Sequence, residues 1–380
     1  MIHRQPSSIF AAFPLKTSVS RNRQFICRQC LSIRFASTTP QTQKQGTQPT
    51  YSSGGKNHND RVNPPSSTLP APILVPERKP DQGKVSHLYQ TGKSYLTFYK
   101  TGIKNIWGNW KAAKELKTRM KIAAAKNPPK KDELKVLIFP STSVPISALT
   151  RAEFQLLHRS AFDMRRVPLF GLLFAIFGEW LPLIVIFVTG AIPYVCRIPT
   201  QIERTRKHAE ERRRKSFRGE LQGAEVPVPR KLEVSDGPGK DIITALQRKE
   251  LLHISRSLGL TGKFWDRLAP SGVDSGLRLP PNAVLIYKVR RAFAYLERDD
   301  HLLIRDGGVK ELVDEEVKLA CEERGIDVLK KNVKDLKATL NLWEENRKKG
   351  KMIGMLLSRP DVWTKLPPES GSIRFPYKTS

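Results

Sequence analysis

Hydrophobic and polar positions follow three different patterns along this chain. The first is a continuous run. Residues 169–188, LFGLLFAIFGEWLPLIVIFV, are apolar almost throughout and contain one ionisable side chain, Glu179. At about 1.5 Å per residue a helix of that length matches a hydrocarbon core roughly 30 Å thick, so the run is read as a single transmembrane helix inside a segment spanning 167–196. No other stretch is apolar for as long, which places the preceding chain on one side of a bilayer and the following chain on the other. Pro168, Pro182 and Pro193 punctuate the segment. A charged carboxylate in hydrocarbon costs about a few kcal/mol, so Glu179 is expected to be neutral, paired or turned towards protein. The alternative is a buried helix of a soluble protein.

The second pattern has helical period. Thr150 and Glu153 have the spacing of a capping box, and Phe154, Leu157, Ala161 and Met164 then fall along one face, so a helix is predicted from Thr150 into the apolar run. Residues 83–166 as a whole read as amphipathic helices before the membrane. The aromatics Tyr89, Tyr95, Phe98, Trp107 and Trp110 would pack on the membrane interface or on a neighbouring helix. Beyond the apolar run, residues 231–348 carry stripes at i, i+3, i+4 or i+7. Examples are Leu285, Val289, Phe293 and Leu296, and then Val333, Leu336, Leu340 and Trp343. The fold class predicted is all-α: one transmembrane helix followed by a domain of several packed helices, with core packing explaining the stripes.

The third pattern has no period, and here composition changes the picture. The chain has 380 residues, 28 Pro, 24 Gly and a net charge of +30, so not all of it packs into a core. Lys and Arg exceed Asp and Glu by 24 in residues 1–230 but by only 2 in residues 231–348. The excess implies an anionic partner, either phospholipid or nucleic acid. Up to Asn59 there is no acidic residue, and arginines recur among Ser, Thr and small apolar residues. Residues 1–36 therefore read as a mitochondrial transit peptide and 37–82 as a disordered linker. Residues 197–230 form a basic juxtamembrane helix and linker that includes Arg212, Arg213, Arg214 and Lys215. Lys330, Lys334 and Lys337 are spaced to share a face on the helix bearing Val333 and Trp343. Both basic groups are candidates for phosphate contact, the alternative being solvated helix faces. Residues 349–380 are read as a tail. The four cysteines set up no disulfide framework, and Cys27 and Cys30 form a CxxC with no second pair.

Several phrases resemble the LETM family of mitochondrial inner-membrane proteins. Leu149-Thr150-Arg151-Ala152-Glu153 resembles its helix start, Asp163 and Arg166 before Pro168 resemble the approach to its membrane segment, and Glu179 with Pro182 and Pro193 resembles its acidic, proline-marked span. Asp299-Asp300, Val309 and the stretch from Glu316 to Arg324-Gly325, followed by Leu336, Leu340 and Trp343, are similar to its ribosome-binding domain. The likeness covers roughly residues 85–348. No D-x-D-x-D-G loop is present, so the resemblance is to a short form without an EF-hand. It implies a 14-3-3-like helical domain in the matrix, association with mitochondrial ribosomes, and a part in potassium/proton balance.

The residues themselves offer no catalytic constellation, no phosphate-cradling glycine loop and no metal-ligand cluster, so no enzyme activity and no cofactor are expected. Three readings remain open. One is a membrane-anchored ribosome-binding protein. Another is a cation/proton exchanger subunit working through Glu179, which needs a homo-oligomer because one span cannot line a pathway. The third is a structural organiser bound to anionic inner-membrane lipid such as cardiolipin.

Overall fold

A computed structural model of the chain describes residues 58–73, 76, 83–126, 135–139, 142–177, 189–221, 242–268 and 279–366. The expected transit peptide, Glu179 and Pro182 lie outside these residues. All described elements belong to one unit, Gly54–Ser380.

The first helices are α1 (His58–Val62) and α2 (Lys84–Lys126), the second of 43 residues. Val62 is fully buried, so part of the 37–82 stretch expected to be a linker is instead ordered against the core. Only one side of α2 is covered. Phe98, Tyr99 and Ile106 pack near its middle, and Leu116 and Met120 pack towards its end. Two short antiparallel strands follow, β1 (Lys135–Phe139) and β2 (Thr142–Pro145), with Val136 opposite Val144. This hairpin interrupts a region expected to be helical. Its β-branched and aromatic residues sit between prolines, which suits a short strand pair better than a helical turn.

The helix predicted at Thr150 starts there, as α3 (Arg151–Met164). The Thr150 hydroxyl accepts the Glu153 backbone N–H at 3.2 Å, and the Glu153 carboxylate accepts the Thr150 N–H at 3.0 Å. Two donors that a helix start leaves unpaired are thus satisfied. Next comes α4 (Val167–Phe177), the opening half of the apolar run. Among the described residues no helix is long and apolar enough to cross a membrane.

After the run come α5 (Pro199–Gly219), α6 (Arg248–Ser257), α7 (Lys263–Leu268), α8 (Asn282–Asp306), α9 (Asp314–Glu323), α10 (Val333–Lys348) and α11 (Met352–Leu357). Proline at the first position of α5 fits a helix start, and Gly307 and Gly308, both at positive φ, end α8. The main core draws Leu285, Val289 and Leu296 from α8, Val317 from α9, and Leu336, Leu340 and Trp343 from α10. It also takes Met352, Met355 and Leu356 from α11, then Trp363 and Leu366. The stretch from 349 expected to be a tail is therefore part of the domain as far as Leu366. Apart from the hairpin, the described elements are all helical.

One expectation is overturned by the packing. Arg151, ahead of the apolar run, makes a buried ion pair at 2.9 Å with Asp299, behind it. Phe154 on α3 and Leu302 on α8 share a hydrophobic cluster. Residues that share a buried core cannot have a bilayer between them, so the two flanks of the run do not stand on opposite sides of a membrane.

Candidate nucleic-acid interface

The motif positions near Arg324 form the charged centre of the domain. Arg324 is 1 % exposed and donates to Asp299 at 2.7 Å and to Asp300 at 2.6 Å. The Trp343 indole N–H donates to Asp300 at 3.1 Å, and Arg347 pairs with the same carboxylate at 3.2 Å. Gln155 of α3 donates to Asp299 at 2.7 Å. Arg159 grips Glu316 through two hydrogen bonds of 2.6 and 2.9 Å. Burial alone would push the Asp299 carboxyl up, but Arg151 and Arg324 together hold it well below the usual carboxylate range. Burial, reinforced by Asp299, pushes Glu323 up to about 7, and its carboxylate accepts the Tyr295 hydroxyl at 2.9 Å. Arg324 and Trp343 thus hold the helices to one another, and Thr150 and Glu153 start the helix that carries Arg151 into the same network.

Gly325 follows Arg324 with φ +75, a backbone conformation that costs a side-chain-bearing residue about a kcal/mol or more. The turn it makes opens onto a cleft of about 390 Å³ between α5, α6, the α9–α10 connection and the segment after α11. Six basic residues line this cleft: Arg213, Arg214, Arg218, Arg324, Lys331 and Arg359. Three acids, Glu210, Asp327 and Asp361, line it as well. Glu210 pairs with Arg213 and Arg214, and Arg214 also reaches Asp327 at 3.6 Å. Arg218, Lys331 and Arg359 are exposed at the rim and make no ion pair among the described residues. The Arg359 guanidinium lies 5.4 Å over the Phe217 ring, which orients it without neutralising it. In the wall, Arg213 is 9 % exposed. It donates to the Ser257 carbonyl at 3.3 Å and leaves its Nε without a partner. Next to it His253 is fully buried against Phe217, and burial, then the charge of Arg213, pushes its imidazole down to about 3.

The predicted phosphate contacts divide among several environments. Arg213 and Arg214 reach the cleft. Arg212 is held by Asp266 at 2.6 Å and by the Thr261 carbonyl at 2.9 Å, while Lys215 is exposed outside the cleft. Lys334 and Lys337 lie on α10. Lys330 does not, which corrects the shared-face reading: α10 begins at Val333 behind the Asn332 cap, and Lys330 sits in the preceding turn at φ 54. Lys331, one residue on, enters the cleft instead. Lys331 and Arg359 were missed, the latter because it was assigned to a tail. Arg218 was visible in the basic run but not singled out. Near the apolar run, Asp163 accepts the Tyr194 N–H at 2.6 Å, and Arg166 donates to the Gly190 carbonyl at 3.3 Å, with Pro168 and Pro193 close to these ties. Among the described residues no group of His, Cys, Asp and Glu could hold a metal ion.

Two family models match. Residues 78–228 match the Pentamidine resistance factor domain, and residues 276–360 match the LETM1-like RBD, a ribosome-binding domain. No curated protein and no solved structure matches the chain. The cleft lies where the matched regions meet, since Arg213, Arg214 and Arg218 fall in the first and Arg324, Lys331 and Arg359 in the second. Arg324, Gly325 and Trp343 all fall within the second match, so residues 276–360 are similar to a LETM1-like ribosome-binding domain.

Proposed function

We propose that this protein holds ribosomes at a membrane surface by binding ribosomal RNA phosphate in the basic cleft. The observation that carries the proposal is the set of rim cations, Arg218, Lys331 and Arg359, which make no ion pair among the described residues and surround a cavity large enough for part of a polynucleotide backbone. A phosphodiester suits such a site because each contact neutralises one cation and releases condensed counterion. The role is binding rather than catalysis. The same reading includes a mitochondrial inner-membrane location, supported by the acid-free, arginine-spaced N-terminus, and attachment through the apolar run. The 14-3-3-like form and the part in potassium/proton balance rest on the family resemblance.

Co-sedimentation of the detergent-solubilised full chain with ribosomes, titrated with salt, tests the proposal. Replacing Arg218, Lys331 and Arg359 by Ala is expected to weaken binding and to flatten the slope of log affinity against log salt by roughly two to three units. An unchanged slope and affinity would reject the cleft as the phosphate site.

A further inference from the structure

Only one face of α2 belongs to the body of the protein. Phe98, Tyr99 and Ile106 are buried on it, and Tyr95 packs against the same cluster. Turned away from that face, Val85, Tyr89, Leu96, Ile103 and Trp107 follow one another at steps of four or seven residues, and all are 48–81 % exposed. At 1.5 Å per residue this apolar stripe runs about 33 Å. The aromatics of the helix are thus divided: Tyr95 and Phe98 pack on the body, while Tyr89 and Trp107 stand on the stripe. A contiguous apolar surface of this length marks an interaction site.

A row of cations accompanies the stripe. Lys93, Lys100 and Lys111 stand four residues after Tyr89, Leu96 and Trp107, one turn on and displaced by about 40° around the axis, and Lys104 falls beside them. All four are exposed and make no ion pair among the described residues. The Lys111 ammonium lies 5.8 Å from the Trp107 ring centroid, which joins the row to the stripe. The whole of α2 carries ten Lys and Arg and one acid, Glu115, and that acid lies beyond the stripe.

We infer that this face of α2 lies along an anionic phospholipid surface, with the stripe at the boundary of headgroups and acyl chains and the lysine row among the headgroups. The inference deepens the membrane location proposed above and does not depend on the cleft. Charge and shape together select lipid. Lysine stems lie along apolar surface while their ammonium groups reach outward to anionic headgroups, and Tyr and Trp suit the same boundary. A second copy of this face would supply no acid to answer the lysines. A polynucleotide would answer them but leave the aliphatic stripe in water.

The test is the full chain with Cys27→Ser and Cys30→Ser, buried Cys196 and Cys321 left in place, reconstituted into vesicles of phosphatidylcholine and phosphatidylglycerol. An environment-sensitive dye is attached at Leu96→Cys or Ile103→Cys, with exposed Ala338→Cys on α10 as the reference. Nitroxide-bearing lipid in both leaflets is expected to quench the dye at 96 and 103 by about half or more, and the dye at 338 hardly at all. Replacing Lys93, Lys100, Lys104 and Lys111 by Gln, or omitting phosphatidylglycerol, is expected to reduce that quenching about twofold or more. Quenching undiminished by either change would overturn the anionic assignment. A chain that floats with the vesicles while its dyes at 96 and 103 stay unquenched would overturn the inference and leave membrane attachment standing. A chain that fails to float would remove the attachment, and the inference with it. Disulfide-linked pairs of unlabelled Leu96→Cys in the vesicles would assign the face to a second copy and overturn the lipid placement.

Discussion

Arg151 and Arg324 on one side, and Arg218 and Arg359 on the other, are the same residue type with opposite fates. The first two are almost fully buried, and their charge is balanced by Asp299 and Asp300 within hydrogen-bonding distance. The second two stand at the rim of the cleft with no ion pair among the described residues. What separates them is the supply of nearby acid: α8 presents adjacent carboxylates to the core, whereas two of the three acids of the cleft, Glu210 and Asp327, are already shared with Arg213 and Arg214. Charge committed inside the fold stabilises it, and charge left over at the rim is available to a partner.

The largest effect should come from breaking the committed set. Arg324→Met leaves Asp299 and Asp300 short of a buried partner and is expected to lower unfolding stability by about 3–5 kcal/mol, read by chemical denaturation. A loss below about 1 kcal/mol would show that the network is dispensable. Acid should act next, through the wall between the two sets. Buried His253 titrates near 3 in the fold and at its ordinary 6.5 when unfolded. The unfolded chain thus binds the extra proton, and stability complete above pH 6.5 declines as the pH falls towards 3, by up to about 1.4 kcal/mol per unit. His253→Gln should flatten that decline, and an unaltered pH profile would exclude His253 as its source. Thr150→Ala removes the hydroxyl that caps α3 and should cost about 1 kcal/mol, measured as a shift in Tm. Smallest of all, alanine at Arg218, Lys331 and Arg359 should change stability by no more than about 0.5 kcal/mol, although the same variant reduces the salt dependence of ribosome binding. A large loss of stability there would dissolve the distinction between committed and available charge.

Features with a local cause could be read from the sequence. The Thr150 cap depends on a residue three positions away, and the stripes of α8, α9 and α10 depend on helical period, so both were legible. Long-range partnerships were not. Arg151 meets Asp299 across 148 positions, and its place ahead of the apolar run made it look like the flank of a span. Val62 and the α11 segment contribute core residues from stretches too short, or too rich in Pro and Gly around them, to show a period. Lys330 was misplaced by one turn because Asn332, not an earlier residue, caps α10. The cleft is assembled from four separate stretches, so no single stretch announces it.

The length of α2 acts as a ruler. Its 43 residues extend about 65 Å. One half is clamped beside the apolar run by Phe98, Tyr99 and Ile106, and the other is clamped near α8 by Leu116 and Met120. A single residue inserted between the two clamps would twist one against the other by about 100°, whereas seven would restore their phase and add about 10 Å. The spacing between the two clamps is therefore set in steps of roughly two helical turns, and a change of α2 length that breaks this step would turn one half of the helix's packing surface away from its partners.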